Sequence, residues 1–383
     1  MKEPKIRFKG FQGEWETKNI ASVASLKAGV SIDTSKEISY QIQGYYPCYG
    51  GNGLRGYVSD YTHDGIYNII GRQGALCGNV RMATGKFHAT EHAVVVTPIK
   101  KLNPYFLFNV LTKANINQYA TGVAQPGLSV QNVNKRLYIN IPNFDEQQSI
   151  ATYFQYLDSL IQSTTKKIES LKQVKAASLQ SMFPQEGETT PRVRFKGFEG
   201  EWEKVQFSEL YEPSSIKNKT FGADKIISVA NMYFKPVSYI SDEEYLKSYN
   251  VMNLGDIAFE GNKSKDYAHG RFVENTIGDG IVSHVFIVLK PISKQYDLQF
   301  WKYLINYERI MGPILLRSTK HSTMMTDLVV SDFLKESVLV PSYEEQIEIG
   351  KILSSLDRQI TLHTQRLEKL KQIKAACLDE MFV

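Results

Sequence analysis

Polar and cationic side chains are concentrated on glycine-rich loops in two separate stretches of the chain. Arginine and lysine neutralise phosphates, while arginine, lysine, asparagine, glutamine and serine also hydrogen-bond to base edges. Loops rich in these types and mounted on strands predict a nucleic-acid interface, although any one residue is also compatible with a solvated polar loop. The candidate contacts are Asn52, Arg55, Arg72, Gln73, Asn79, Arg81, Gln125 and Ser129 in the first stretch, and Lys263, Lys265, His269, Arg271, Arg317, Lys320 and His321 in the second.

Recognisable motifs of catalysis are missing from the sequence. Gly51, Gly53 and Gly56 have the spacing of a dinucleotide loop, but a strand-like run follows them where such a site requires a helix. There is no P-loop, no H-E-x-x-H, no G-x-S-x-G and no pair of adjacent prolines, which excludes the Asn/Asp-Pro-Pro-aromatic motif of amino-methyltransferases. The seven histidines show no metal spacing; His88 and His92 lie four residues apart, but they flank a strand-like run, which favours a structural role. We expect no catalytic residue and no metal site.

Composition is that of an ordinary globular protein. The chain has 383 residues, 42% of them hydrophobic, and a net charge of +5, a mild excess that permits nucleic-acid binding without establishing it. Cys48, Cys77 and Cys377 lie far apart without a C-x-x-C pair, which is typical of a reduced cytoplasm. The amino terminus lacks the apolar core of a signal peptide, and no apolar run approaches a membrane span. The predicted location is the cytoplasm.

Two motifs occur twice and divide the chain into tandem units. RFKGFQGEWE, from Arg7 to Glu16, recurs as RFKGFEGEWE from Arg194 to Glu203. The stretch from Pro142 to Phe183 recurs without a gap from Pro341 to Phe382, so each residue matches the one 199 positions later. This period is far longer than that of a solenoid repeat and indicates duplication of a domain-sized unit.

Both copies of the second motif predict one long helix that begins with a capping box, Asn-x-x-Glu at 143–146 and Ser-x-x-Glu at 342–345. Apolar residues recur at alternating steps of four and three, as in a coiled-coil seam, and Thr164 and His363 interrupt the two seams at the same heptad position. We expect the seams to bury each other, with packing of each helix on its own domain as the alternative. The seam residues are Ile150, Phe154, Leu157, Ile161, Ile168 and Leu171 in the first helix, and Ile349, Leu353, Leu356, Ile360, Leu367 and Leu370 in the second.

The bodies between these motifs, residues 17–141 and 204–340, contain short β-like runs separated by Gly and Asn turns. Both share the order of strands, turn-rich loop, strand, short helix, loop and long helix, which predicts an α+β fold. The predicted segments are strands at 66–70 and 92–96 and a helix at 105–111 in the first body, and a strand at 285–289 and a helix near 300–309 in the second.

Together these motifs resemble the specificity subunit of type I restriction-modification enzymes over essentially the whole chain. The resemblance rests on the Arg-Phe-x-Gly-Phe-x-Gly-x-Trp start and the Ile/Val-Pro-x-x-(Asp/Glu)-Glu-Gln helix start, each present twice. Supporting matches are Tyr46-Pro47-x-Tyr49-Gly50-x-x-Gly53, Gly71-Arg72-x-Gly74 and Gly255-Asp256-Ile257. The second body departs from the pattern, with Gly270-Arg271-Phe272 in place of a Gly-Arg-x-Gly loop and residues 320–324 in place of the Gln-Pro-Gly-Leu-Ser loop at 125–129.

The resemblance implies two tandem α+β target-recognition domains joined by two long helices, which form an antiparallel coiled coil with pseudo-two-fold symmetry. Each domain would read one half of a split DNA target in the major groove, and the helices would set the gap. The chain itself would be non-catalytic and hold no cofactor. The implied organisation is a first target-recognition domain at 1–141, a first long helix at 142–183, a linker at 184–191, a second target-recognition domain at 192–340 and a second long helix at 341–383.

The implied partners are double-stranded DNA, two modification subunits that methylate adenine with S-adenosylmethionine, and restriction subunits that use ATP and magnesium. One rival interpretation is a coiled-coil interaction scaffold whose two globular ends bind proteins rather than DNA. Salt-dependent binding to duplex DNA in the presence of a partner methyltransferase separates the two. A second rival is an enzyme with an unfamiliar buried site, which methylation by the isolated chain would support.

Overall fold

The computed structural model describes residues 3–74, 76–99, 101–122, 126–237, 243–321 and 325–383. The chain forms two compact units, and the boundaries between them fall inside both long helices. The first unit comprises Met1–Lys166 and Gln365–Val383, and the second comprises Lys167–Thr364. Each unit therefore combines one globular body with parts of both helices.

The body of the first unit is a mixed sheet with helices packed on it. In chain order its elements are β1 (Glu16–Asn19), β2 (Ala24–Ala28), β3 (Tyr46–Gly50), β4 (Gly53–Val58), β5 (His63–Gly71), β6 (Val80–Ala89), β7 (Ala93–Pro98), α1 (Pro104–Lys113), β8 (Ala120–Thr121), β9 (Gly127–Leu128), α2 (Val130–Arg136) and β10 (Tyr138–Ile141). The six-stranded sheet has the order β2-β7-β5-β6-β3-β4 and is antiparallel except between β3 and β6. The predicted strands at 66–70 and 92–96 and the predicted helix at 105–111 correspond to β5, β7 and α1.

Helix α1 begins where the sequence provides both a cap and a preset backbone angle. The Asn103 side chain accepts hydrogen bonds from the backbone N–H groups of Tyr105 and Phe106, and Pro104 occupies the first turn. This start directs Phe106 and Leu107 into a core against the sheet, where both are fully buried.

The body of the second unit has a smaller main sheet. Its elements are β11 (Glu203–Gln206), α4 (Phe207–Leu210), β12 (Tyr211–Ser214), β13 (Ile227–Ser228), β14 (Tyr233–Phe234), α5 (Glu243–Leu246), β15 (Asn250–Met252), β16 (Ile257–Glu260), β17 (Arg271–Glu274), β18 (Gly280–Val282), β19 (Val288–Pro291), α6 (Leu298–Leu304), α7 (Glu308–Ser318), β20 (Thr319–His321), β21 (Thr326–Leu328), α8 (Val330–Phe333) and β22 (Ser337–Val340). The four-stranded sheet has the order β12-β19-β16-β17. In this sheet β19, β16 and β17 correspond to β7, β5 and β6 of the first body.

Two predicted segments of the second body are displaced. The predicted strand at 285–289 begins only at Val288, because the N–H of Phe286 donates to the carbonyl of Ser283 at 3.0 Å and forms a turn. The predicted helix near 300–309 is two helices, α6 and α7. Between them the N–H of Tyr307 donates to the carbonyl of Leu304 at 3.1 Å, which closes a turn and ends the first helix.

The two long helices are α3 (Phe144–Met182) and α9 (Tyr343–Glu380), close to the predicted stretches. In the first unit the Asp158 carboxylate accepts from Lys374 at 2.5 Å and Tyr153 contacts Cys377 at 3.5 Å, so the α3 and α9 segments of that unit run antiparallel. In the second unit Asp357 accepts from Lys175 at 2.6 Å. The predicted helix pair is confirmed within each unit.

Most of the predicted seam is buried. Ile161, Ile360 and Leu367 are only partly buried, whereas Thr164, predicted to interrupt the seam, is 5% exposed. The polar residue in the middle of α3 is thus part of the packed face. The buried seam residues are Ile150, Phe154, Leu157, Ile168, Leu171, Ile349, Leu353, Leu356 and Leu370.

The predicted capping boxes are half correct. The Asn143 side chain accepts from the N–H of Glu146 at 2.9 Å, and the Ser342 hydroxyl accepts from the N–H of Glu345 at 3.4 Å. The glutamate side chains do not complete the box. Each is buried and bound instead to the arginine of the repeated start motif, a pairing that short-range sequence patterns do not reveal.

A phenylalanine just beyond the end of each long helix belongs to a hydrophobic core. Phe382 packs in the first unit against Trp15 of the start motif, with ring centroids 6.1 Å apart, and against Phe106 at 5.6 Å. Phe183 packs in the same way in the second unit, 6.0 Å from Trp202. The start motif therefore anchors the end of one long helix in each unit.

None of the helices in the described part of the chain combines the length and the apolar composition needed to cross a lipid bilayer.

Candidate nucleic-acid interface

Three loop segments of the first body meet at the end of β5. A Cβ atom on Gly71 would collide with the carbonyl oxygen of Gly51 in the β3–β4 turn, so only glycine permits this approach. The N–H of Leu128 donates to the carbonyl of Arg72 at 2.7 Å, and Gln73 forms a β-bridge with Gly127. The β3–β4 turn, the loop after β5 and strand β9 thus form one surface.

Four of the predicted contact residues on this part of the body present free side chains. Asn52, Gln73, Asn79 and Arg81 are exposed, and their side chains have no hydrogen bond or ion pair with any residue that the structure describes. The Arg81 guanidinium lies across Gly53, where a Cβ atom would sit 2.7 Å from its central carbon. An unpaired arginine flanked by amide side chains has the donors and acceptors that base edges require.

The other predicted residues of the first body already have intramolecular partners. Arg55 forms an ion pair with Glu37 at 2.9 Å, and Arg72 donates to the carbonyl of Glu91 at 3.3 Å. The Ser129 hydroxyl accepts from the N–H of Asn132 at 3.3 Å and caps α2. These side chains hold the surface in shape, and their contact with DNA stays a prediction. Gln125 lies outside the described residues.

A cavity of about 430 Å³ opens between the loop after β5 and the start of α2. Arg72, Gln73 and Ser129 line it, together with Thr121 and Gln131, which the sequence motifs did not single out. Thr121 belongs to β8, the pairing partner of β9, and Gln131 lies in the first turn of α2. Their only signal in the sequence is proximity to the Gln-Pro-Gly-Leu-Ser loop.

The second body builds the corresponding surface from different residues. A Cβ atom on Gly261 would collide with the carbonyl oxygen of Thr326, whose N–H donates to the carbonyl of Gly261 at 2.9 Å. The Thr326 hydroxyl also donates to the carbonyl of His269 at 3.0 Å. The loop after β16, the turn before β17 and the β20–β21 hairpin therefore meet, and the exposed Lys263 and Lys265 lie on this loop.

Gly270 and Arg271 are not the structural counterparts of Gly71 and Arg72. Gly71-Arg72-x-Gly74 begins at the last residue of β5, and the loop that follows the corresponding strand β16 begins at Gly261, not at Gly270. Arg271 opens β17 instead, where it pairs with Glu260 at 3.0 Å and donates to the carbonyl of Ala230 at 2.6 Å. The Gly-Arg match at 270–271 is therefore a coincidence of sequence.

The remaining predicted residues of the second body differ in how far they are engaged. Arg317 donates two hydrogen bonds to Glu336, at 2.8 and 2.6 Å, while Lys320 is exposed on β20. The backbone of His321 belongs to the same strand, and its side chain lies outside the described residues. Within the described ranges, no group of three or more His, Cys, Asp or Glu side chains has the geometry to hold a metal ion.

The sequence matches a known protein family over most of its length. The sequence model of the family described as "Type I restriction modification DNA specificity domain" matches twice, at residues 12–173 and 199–372. The type I restriction enzyme EcoprrI specificity subunit of Escherichia coli is 42% identical over 162 residues, which are 42% of this chain and only 40% of that protein. The type I restriction enzyme MjaVIII specificity subunit of Methanocaldococcus jannaschii is 21% identical in an alignment of 416 positions, gaps included, which covers 94% of this chain and 90% of that one.

A solved structure has the same fold. The crystal structure of the S subunit of a type I restriction-modification system from M. genitalium superimposes with a TM-score of 0.71 at 16% identity, covering 100% of this chain and 99% of that one. The two family matches coincide with the two repeats, and each contains one of the converging loop surfaces. This chain belongs to the type I restriction-modification specificity family and carries its DNA specificity domain twice.

Proposed function

We propose that the two bodies read the two halves of a bipartite target in duplex DNA. The observation that carries this proposal is the same convergence of three loop segments in both bodies, built from different side chains. The first surface offers amides and an arginine, Asn52, Gln73 and Arg81, whereas the second offers Lys263 and Lys265. A shared frame with different polar groups suits the reading of two different half-sites.

The chain contributes recognition and no chemistry of its own. S-adenosylmethionine would be held by two modification subunits that dock on the helices and the adjoining bodies and methylate adenine in each half-site. ATP and magnesium would be held by restriction subunits. The cations and amides of the two loop surfaces would bind and orient DNA, and the methyl transfer would occur on the partners.

The long helices would act as a ruler for the gap between half-sites. α3 has 39 residues and α9 has 38, and the antiparallel segments within each unit hold the helices in register through Asp158–Lys374 and Asp357–Lys175. Insertion of residues near Ile161 or Ile360 should change the permitted gap and leave the half-site sequences unchanged. A mutant that methylates sites with the original gap would contradict the ruler.

The decisive experiment is methylome sequencing of cells that carry this chain with its modification subunit. We expect one bipartite motif, with two specified halves separated by a gap of fixed length, and methylated adenine in both halves. A contiguous motif, or no sequence-dependent methylation while the subunits remain bound to each other, would contradict the proposal.

A further inference from the structure

Asn109 and Tyr303 occupy the same place in the two units. The backbone N–H of Asn103 donates to the Gln147 side chain at 3.0 Å, and that of Asp297 donates to Gln346, the residue 199 positions later, at 3.2 Å. Asn103 and Asp297 then cap α1 and α6. The residue six positions further along is Asn109 in one helix and Tyr303 in the other.

Tyr303 completes a cluster of three side chains in the second unit. Its hydroxyl donates to Asp357 Oδ2 at 2.6 Å, while Lys175 Nζ donates to Asp357 Oδ1 at 2.6 Å. The same lysine nitrogen lies 5.1 Å from the centroid of the tyrosine ring. Both oxygens of this half-buried carboxylate are therefore satisfied, and the ring fills the space between α6 and the long helix.

The first unit repeats the ion pair and lacks the ring. Lys374 donates to Asp158 Oδ1 at 2.5 Å, and these two residues match Lys175 and Asp357 at the 199-residue spacing. No donor from the described residues reaches Asp158 Oδ2. The shorter Asn109 leaves a cavity of about 500 Å³, lined by Tyr105, Phe108, Asn109, Gln155 and Asp158 among others.

The polar groups around this cavity are incompletely satisfied. The Asn109 amide nitrogen donates to the carbonyl of Tyr105 at 2.9 Å, but its buried Oδ1 has no hydrogen-bond partner in the part of the chain that the structure describes. Native proteins rarely leave such atoms unpaired. The Tyr105 and Phe108 rings supply apolar wall, while Gln155 and Asp158 supply hydrogen-bonding groups.

We propose that this cavity receives a tyrosine side chain of a modification subunit, whose hydroxyl donates to Asp158 as Tyr303 does to Asp357. The inference rests on the proposed function, which supplies the partner. The occupant is identified by the second unit, where the same frame of lysine, aspartate and helix start closes around a phenol. The two modification subunits would then dock unequally, one through an inserted side chain and the other against a filled surface.

The substitution Asn109→Tyr tests this inference because it fills the cavity from within, as the second unit does. Purified N109Y should unfold at a temperature no lower than the wild type, and its affinity for one of two modification subunits should fall at least tenfold. Native mass spectrometry should then show a complex with one modification subunit at concentrations where the wild type binds two. The matched control is Tyr303→Phe, which keeps the second unit filled and should bind both subunits normally.

Wild-type affinity of folded N109Y for both subunits would overturn the inference and leave the proposed function standing. Failure of the wild-type chain to bind any modification subunit would remove the proposed function itself. If N109Y does not fold, Ser159→Cys offers a second measurement, since Ser159 is exposed and lines the cavity. Bound modification subunit should slow maleimide labelling of S159C at least tenfold, and an unchanged rate would equally overturn the inference.

Discussion

Arg7 binds the buried carboxylate of Glu146 through two charge-assisted hydrogen bonds, from Nε to Oε1 at 2.7 Å and from Nη2 to Oε2 at 2.8 Å. Arg194 binds Glu345 in the same way, at 2.8 and 2.7 Å. In both pairs the glutamate side chain is 1% exposed. Through this arginine, the repeated start motif therefore holds the first turn of each long helix in place. The hydrogen bond to Glu146 also raises the pKa of Arg7.

Removal of the Arg7–Glu146 ion pair should be costly, because a buried carboxylate would lose the cation that binds it. We expect Arg7→Ala to destabilise the first unit by about 3 kcal/mol in chemical denaturation. The control is Lys5→Ala, since Lys5 pairs with Glu380 at 3.1 Å but is 76% exposed, and its loss should cost less than about 1 kcal/mol. Equal stabilities of the two variants would show that the Arg7–Glu146 ion pair stabilises the protein no more than an exposed surface pair does.

Free and engaged arginines of the first body should have different effects on target choice. Arg81→Ala should relax specificity in one half-site only and cost about 1–3 kcal/mol of discrimination at the affected base pair. Arg55→Ala removes a cation that is paired with Glu37, and it should relax the methylated motif less than Arg81→Ala does. Methylome sequencing of both variants is the measurement. Relaxation by Arg55→Ala with no effect of Arg81→Ala would reverse our assignment.

The buried Glu274 should make the second unit less stable as the pH rises. Burial raises the pKa of Glu274 to about 9, against an ordinary 4.5, with Lys302 acting in the opposite direction. The folded state therefore retains a proton that the unfolded chain releases, and stability should fall by up to about 1.4 kcal/mol per pH unit between these two values.

Glu274→Gln keeps the shape of the side chain and removes its charge. Thermal unfolding at pH 5 and pH 8 should therefore show a smaller loss of stability in the variant than in the wild type. Glu212→Gln is the control, because Glu212 is 49% exposed and pairs with Lys290 at the surface. An unchanged pH dependence in the Glu274 variant would contradict the claim that Glu274 is buried in its neutral, protonated form.

The helix seam predicts a ranking of two substitutions in α9. Leu353 is fully buried, so Leu353→Asp would bury an uncompensated charge and should cost about 3–5 kcal/mol. His363 is half-buried, and His363→Ala should stay within about 1 kcal/mol of the wild type. Thermal unfolding that ranks the two variants in the opposite order would exclude the seam assignment.

The long helices were predictable because their signals are local. A proline, a cap and an apolar repeat of three and four residues lie within one stretch of sequence, and α3 and α9 begin within two residues of the predicted prolines. The partners of Glu146 and Glu345 were not predictable, since Arg7 lies 139 residues away from Glu146 in sequence. A capping box and an ion pair use the same glutamate, and only the fold selects between them.

The candidate interface was predictable as a set of loops but not residue by residue. The glycine-rich segments of the first body do converge, because glycines such as Gly71 permit close backbone approach. Whether an arginine is free depends on distant acids: Glu37 engages Arg55 and Glu336 engages Arg317, whereas Arg81 has neither a hydrogen bond nor an ion pair among the described side chains. The correspondence between Asn109 and Tyr303 was likewise not predictable, because it becomes visible only when helices α1 and α6 are superimposed.

The most direct test of the account is exchange of one body. Replacement of residues 17–141 by the corresponding body of another specificity subunit, followed by methylome sequencing with the same modification subunit, isolates the contribution of the first reader. We predict that one half-site changes completely, while the other half-site and the length of the gap stay the same. A chimaera that binds its modification subunit but changes both half-sites, or neither, would contradict the assignment of one half-site to each body.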